Sequence, residues 1–173
     1  MKSDYVDDDN LALLLRLLTE PNRLVCAVCL QTGLRISDAL NIKTAALKRR
    51  FVVIEQKTNK KRRVSLSEEL YKALKAQAGK IYVFEHRDDI SRHRSRQAVY
   101  MDIKRAAKAL RIKERVSPHS LRKHYAVELY RKYGFDTVRE SLNHDNDVVT
   151  MLYAYADIIS RRSGYNSKDR AHK

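Results

Sequence analysis

The sequence predicts an α+β domain, mostly α-helical, carrying one small three-stranded antiparallel sheet. Glycine is scarce at 4 and proline at 2 in 173 residues, so long helices dominate and flexible linkers are few. Apolar residues make up 43%, enough for one buried core without disulfide or metal. Strand-like composition is confined to three short stretches, FVVIEQ at 51–56, RRVSL at 62–66 and IYVF at 81–84, too little for an all-β or doubly wound fold.

Each element has a local reason. The acidic run DDDN at 7–10 suits a helix N-terminus and LALLLRLLTE continues as its apolar body. Pro21 fits the first turn of a second helix that Gly33 terminates. A short third helix follows at 37–41. FVVIEQ and RRVSL flank KTNKK and form a β-hairpin with a basic tip. Ser65 or Ser67, with Glu68, opens a helix that ends near Gly79. IYVF is the third strand. Ser95 caps a basic helix reaching about Arg111, and another helix runs from His119 to Lys132, stopped by Gly134. Asp136 caps a short helix to Leu142, and Asp145 or Asp147 opens a last one through Ala156.

Lys plus Arg outnumber Asp plus Glu by 36 to 21, a net charge of +15. Such an excess in a small domain points to a polyanionic partner, nucleic acid above all, rather than to solubility alone. No basic amphipathic helix with exposed aromatics suggests a membrane surface. The two cysteines, Cys26 and Cys29, lie in an apolar helical run with no second pair or nearby histidine. They read as small core residues rather than zinc ligands or a redox pair. No secretory signal pattern or membrane-length apolar run occurs, so the expectation is a soluble, cytoplasmic protein.

The chemistry concentrates between Pro118 and Tyr155. His119 and Arg122 stand three residues apart, on one helical face. His144 follows, and Tyr153 comes nine residues later. Imidazoles, a guanidinium and a phenol are the groups that attack a phosphodiester without a metal: phenol as nucleophile, imidazole for protons and hydrogen bonds, cations for the non-bridging oxygens. In TGLRISDAL, Arg35 stands at a helix start, where it can hold a phosphate; the competing reading is a surface arginine paired with Asp38. Lys57 is expected at the end of the first hairpin strand, able to protonate a leaving oxygen. Lys60, Lys61, Arg62 and Arg63 are assigned to DNA backbone contacts, as are Arg92, Arg94 and Arg96, with Lys104, Arg105 and Lys108 extending that surface or solvating their helix. Tyr155 is the rival of Tyr153, but the two point about 200° apart on a helix. Val148, Leu152 and Tyr155 form a core stripe that leaves Tyr153 off it. The remaining histidines, His86, His93, His124 and His172, lack such company.

The order of these residues resembles the tyrosine recombinase family, the phage lambda-type integrases: arginine in TGLRISD, lysine in a β-hairpin, H-x-L-R, then L-x-H with a tyrosine nine further on. The resemblance runs from about Pro21 to Ala156, and an ordered series of six polar residues is far more specific than its pieces. It implies that Arg35 and Arg122 clamp the scissile phosphate and Lys57 is general acid for the 5′ oxygen. It further implies that His119 takes part in proton transfer, His144 hydrogen-bonds the phosphate, Tyr153 attacks it, and Asp38 supports the site. The product is a 3′-phosphotyrosyl link with a free 5′ hydroxyl. No metal or nucleotide cofactor is implied, and a homo-oligomer, a tetramer, assembles on DNA.

The family's usual glycine before the second histidine is Asn143 here, a residue that tolerates the left-handed conformation. Only about 20 residues precede the match. The expectation is therefore a single catalytic domain over 1–173, core about 9–160 and basic tail 161–173, without an N-terminal core-binding domain. The rival readings are a type IB topoisomerase, which reseals the same strand, and a DNA-binding module that keeps the fold without activity. A metal-dependent nuclease lacks a suitably spaced ligand set.

Overall fold

The structure, a computed structural model, describes residues 3–142, with the backbone alone at Arg139. The chain divides into two compact units, Met1–Tyr125 and Ala126–Lys173.

In the first unit Asp7 caps α1 (Asp8–Leu17), its carboxylate accepting from the Asn10 N–H at 2.9 Å. Pro21 sits in the first turn of α2 (Glu20–Thr32), whose buried face carries Leu24, Val25, Cys26, Val28 and Cys29. Both thiols are free, and burial pushes that of Cys29 up to about 12, so they behave as inert core groups. Gly33, at φ +65°, ends α2 by donating its N–H to the Cys29 carbonyl. The short α3 (Ile36–Leu40) follows at once, then a single 3-10 turn over Thr44–Ala46.

β1 (Arg50–Ile54) and β2 (Lys61–Ser65) pair antiparallel, with Val53 opposite Arg62 and Phe51 opposite Val64. Ser67 caps α4 (Glu68–Gln77) through the Leu70 N–H, and Ser95 caps α5 (Arg96–Ala109) through that of Ala98. α6 (Pro118–Tyr133) begins in this unit. Leu14, Val25, Leu40, Val64, Leu74, Phe84, Ile103 and Leu121 belong to one contiguous core cluster, each such side chain contributing roughly 1.5–3 kcal/mol by leaving water.

The expected third strand is absent among the described residues: the sheet has two strands. IYVF makes only an isolated bridge, Lys43 with Tyr82, and then turns. Its backbone closes locally, Val83 N–H on the Ile42 carbonyl and Gly79 N–H on the Tyr82 carbonyl, both at 3.0 Å. Val83 and Phe84 are adjacent and both buried, unlike the in–out alternation of a strand with one solvated face.

Two polar tethers hold the helices. The Asp102 carboxylate of α5 accepts from the Thr19 N–H, the Thr19 hydroxyl and the Asn22 amide at 2.8–2.9 Å, and from Arg105. The segment before α1 is tied to α6 and its approach: Lys123 Nζ donates to the Ser3 carbonyl at 2.6 Å, Asp4 pairs with Arg115, and the His124 ring stacks on Tyr5. His124, which the sequence leaves without a role, is thereby a packing histidine with Asp8 at 3.4 Å.

In the second unit α6 ends at Tyr133, and α7 spans Phe135–Ser141 with Val138 and Leu142 buried. Gly134, at φ +80°, takes the N-cap position, so Asp136 lies inside the first turn and is not the cap the sequence suggests. Among the described residues no helix is long and apolar enough to cross a membrane.

Candidate active site

The site begins with the end of α2. Gly33 adopts a left-handed conformation that other residues resist, and a Cβ there would collide with the Tyr125 ring. The tight turn delivers Arg35 to the N-cap position of α3, its side chain 17% exposed. Arg35 Nη1 donates to Glu55 Oε2 at 3.1 Å. The competing surface pairing with Asp38 is not what forms: Asp38 is buried on α3, and its Oδ1 accepts the Gln56 N–H at 3.0 Å. α3 and the hairpin turn are thus stitched twice, Arg35 to Glu55 in one direction and Gln56 to Asp38 in the other.

Burial pushes the Asp38 carboxyl above its ordinary range. The Gln56 hydrogen bond opposes this, the nearby Glu55 charge adds to it, and Arg35 and Arg122 counter it in part. Glu55, whose side chain is fully buried, also accepts from the Thr58 hydroxyl at 3.0 Å and from Arg62 Nη1 at 3.2 Å.

Lys57 lies in the turn between the strands, exposed, and not at the end of β1, which stops at Ile54. The turn closes through Glu55 N–H to the Lys60 carbonyl and Asn59 N–H to the Glu55 carbonyl, with Asn59 left-handed at φ +53°. That extra loop places Lys57 one residue beyond Gln56, the residue stitched to Asp38.

Arg122, one turn into α6 and 1% exposed, donates through Nη1 to the Gly33 carbonyl. Gly33 is two residues before Arg35, so both arginines are held at the same α2–α3 turn. His119 opens α6, its N–H donating to the Ser117 hydroxyl at 3.2 Å. It lines a groove of about 540 Å³ shared with Ile36, Arg96 and Tyr100. The side chain next to Arg35 therefore faces the groove that His119 borders. Arg35 and Arg122 meet at the α2–α3 turn, the turn that carries Lys57 is tied to Arg35 through Glu55, and His119 borders the groove beside Ile36, while His144 and Tyr153 lie outside the described residues.

The basic residues sort into two groups. Lys60, Lys61, Arg63, Arg92 and Arg96 are exposed, as a DNA-facing surface requires. Arg62 and Arg94 are turned inward. Arg62 bonds Glu55 and the Thr32 carbonyl, with its guanidinium 6.0 Å from the Tyr125 ring centre, and Arg94 donates to Asn22. Arg105 pairs with Asp102.

A sequence profile described as the phage integrase family matches residues 5–158. The chain belongs to the phage integrase family. A tyrosine recombinase of Thermosipho africanus (strain TCF52B) is 30% identical over 164 residues, 88% of this chain and 57% of that protein. A probable integrase/recombinase of Bacillus subtilis (strain 168), YoeC, is 31% identical over 146 residues, 79% of this chain and 78% of its own. The crystal structure of XerH site-specific recombinase, bound to a palindromic difH substrate, superposes with a TM-score of 0.72 at 17% identity, covering 94% of this chain and 53% of that one. At that identity the likeness is one of fold. This integrase-family chain therefore spans little more than half the length of the Thermosipho and XerH proteins.

Sequence reasoning missed Glu55, Thr58 and Tyr125. Glu55 had a signal: in FVVIE it shares the parity of Phe51 and Val53, the inward side of β1. Arg62, Val64 and Leu66 share the same inward parity in and just beyond β2.

Proposed function

We propose that this chain is the catalytic domain of a site-specific DNA recombinase. Tyr153 attacks the scissile phosphodiester; its Oη forms the bond to phosphorus, and the bond from phosphorus to the 5′ oxygen breaks. The phenolic proton leaves through His119, and Lys57 donates a proton to the departing 5′ oxygen. Arg35 and Arg122 hold the non-bridging oxygens as charge builds there, His144 hydrogen-bonds one of them, and Asp38 supports the arginines. The resulting 3′-phosphotyrosyl ester retains the bond energy of the diester, so a 5′ hydroxyl from a partner strand reverses the chemistry without a nucleotide cofactor.

What carries the reading is the placement of both arginines at one turn, Arg122 on the Gly33 carbonyl and Arg35 two residues along on Glu55. A pure binding module needs basic charge but no second, buried guanidinium aimed at the loop of the first. Double-stranded DNA is the substrate, met by the exposed lysines and arginines of the hairpin tip and of 92–96. Like XerH on its difH substrate, the chain engages a DNA site, and strand exchange between two sites calls for several copies, a tetramer on the paired DNA.

The test is covalent trapping. A duplex nicked so that the 5′ fragment diffuses away strands the phosphotyrosyl intermediate. The parent protein forms the adduct, peptide mapping places it on Tyr153, and Tyr153→Phe abolishes it; an adduct that persists in that variant assigns the nucleophile elsewhere.

A further inference from the structure

We infer that Glu55 is a positioning residue for strand cleavage: it sets the direction in which Arg35 presents its guanidinium and the height of the turn that carries Lys57. The inference rests on the recombinase reading above and goes beyond it, because Glu55 touches no substrate in that chemistry.

A carboxylate with no solvent exposure is expensive to bury, and the fold retains it only where its oxygens are fully engaged. Among the described residues, Glu55 accepts from three side chains. Oε2 accepts from Arg35 Nη1 at 3.1 Å and from the Thr58 hydroxyl at 3.0 Å, and Oε1 accepts from Arg62 Nη1 at 3.2 Å. Arg62 in turn donates through Nη2 to the Thr32 carbonyl at 2.6 Å, next to Gly33, whose carbonyl receives Arg122. Hairpin stability alone does not ask for an acid there, since the neighbours of the same parity on β1 are Phe51 and Val53.

The geometry has a direct consequence. Holding one nitrogen of the Arg35 guanidinium restricts its rotation and so fixes the direction in which the group is presented. Thr58 directly follows Lys57, so its hydroxyl on the same Glu55 oxygen couples the lysine turn to the arginine. Asp38 closes the stitch from the other side through the Gln56 N–H at 3.0 Å. One buried carboxylate thereby fixes two charged groups that must meet the same phosphodiester from different directions.

The experiment measures the single-turnover rate of adduct formation by the full chain. Its substrate is a nicked duplex recovered by covalent capture from a randomised pool, with the scissile phosphate either natural or replaced by methylphosphonate, which lacks the charge a guanidinium clamp answers. Glu55→Gln keeps the shape but not the charge. It should slow cleavage of the natural phosphate by about 10- to 100-fold and lose most of that defect on the methylphosphonate. Combined with Arg35→Ala it should add no more than the about 3- to 10-fold effect expected of the lysine turn, and Glu55→Asp should recover part of the rate.

Thr58→Val provides a second handle that leaves the buried ion pairs intact. It should slow the natural substrate by about 3- to 10-fold and reach the parent rate when the 5′ oxygen is replaced by sulfur, a leaving group that needs no proton. Equal slowing on all substrates, or defects of Glu55→Gln and Arg35→Ala that multiply, would reduce Glu55 to a folding role and overturn the inference. Failure of the parent protein to form any adduct from the pool would instead remove the recombinase reading, and this inference with it.

Discussion

Two buried carboxylate clusters lie in the first unit, and they are built differently. Among the described residues Asp102 on α5 accepts five hydrogen bonds, three at Oδ2 and two at Oδ1, from Thr19, Asn22 and Arg105. Burial pushes its carboxyl up, but those bonds together outweigh it and hold the group at about 2. Asp38, at the α3–hairpin stitch, accepts one backbone N–H, its Oδ2 is buried without a hydrogen-bond partner among the described residues, and its carboxyl is pushed up by burial. Glu55 beside it gathers two guanidiniums. The first cluster satisfies itself and ties the α1–α2 junction to α5. The second concentrates charge beyond what packing requires and holds it at the α2–α3 turn, an arrangement that costs stability and makes sense where a phosphate must be met.

The comparison breaks most decisively at its arginines. Arg35→Ala should cut adduct formation by about 100-fold or more and also lower the urea midpoint, because the buried Glu55 carboxylate loses one of its charged partners. Arg122→Ala should lose cleavage as strongly and also destabilise the fold by about 1–3 kcal/mol, since the Gly33 carbonyl loses its buried donor. A variant of either residue that cleaves at the parental rate would dissolve the distinction between the clusters.

Next in size is the pH response. Asp102 has its carboxyl lowered from 3.8 to about 2 in the folded chain. Its contribution is present above the unfolded value and is lost as pH falls through 3.8 towards 2. Asp102→Asn should therefore lower stability at neutral pH by about 2 kcal/mol and flatten the acid limb of the urea-midpoint profile. Asp38 has the opposite sign. Its folded value is raised from 3.8, so stability falls as pH rises from there through the raised value, and Asp38→Asn should remove that decline. Profiles in which the two variants move together would show that the clusters are not distinct in kind.

Much of this was legible in the sequence. Asp7, Ser67, Ser95 and Gly33 mark helix ends through local backbone chemistry, which needs no knowledge of the rest of the chain. That Arg35 and Arg122 belong together was legible through the family resemblance, and both are held at the α2–α3 turn. The third strand was not, because IYVF has strand composition, but its backbone splits between the loop at 42–44, which bonds Ile81 and Val83, and Arg94, which bonds Phe84, and forms no ladder. Arg62 reads as a DNA contact in the sequence because charge runs conceal parity: its neighbours Lys61 and Arg63 face water while it faces Glu55. Glu55 was overlooked for the complementary reason, an acid in an apolar strand whose partners are distant in sequence.

The basic surface supplies a smaller test of the same division between inward and outward charge. Lys60→Ala or Arg63→Ala should reduce the slope of log binding constant against log salt by about 1 each, and Arg62→Ala should instead lower stability. The smallest effect is expected at Arg111, a left-handed residue at φ +54° just past α5; Arg111→Gly should raise stability by about 0.5–1 kcal/mol in thermal melts.

The most direct measurement sets Arg35→Ala beside Asp102→Asn, both shown to be folded by circular dichroism, in single-turnover cleavage of a nicked duplex at a temperature where each is stable. The Arg35 variant should cleave at least about 100-fold more slowly, and the less stable Asp102 variant should keep the parental rate. A parental rate for Arg35→Ala, with the loss falling on Asp102→Asn, would contradict the division between the clusters.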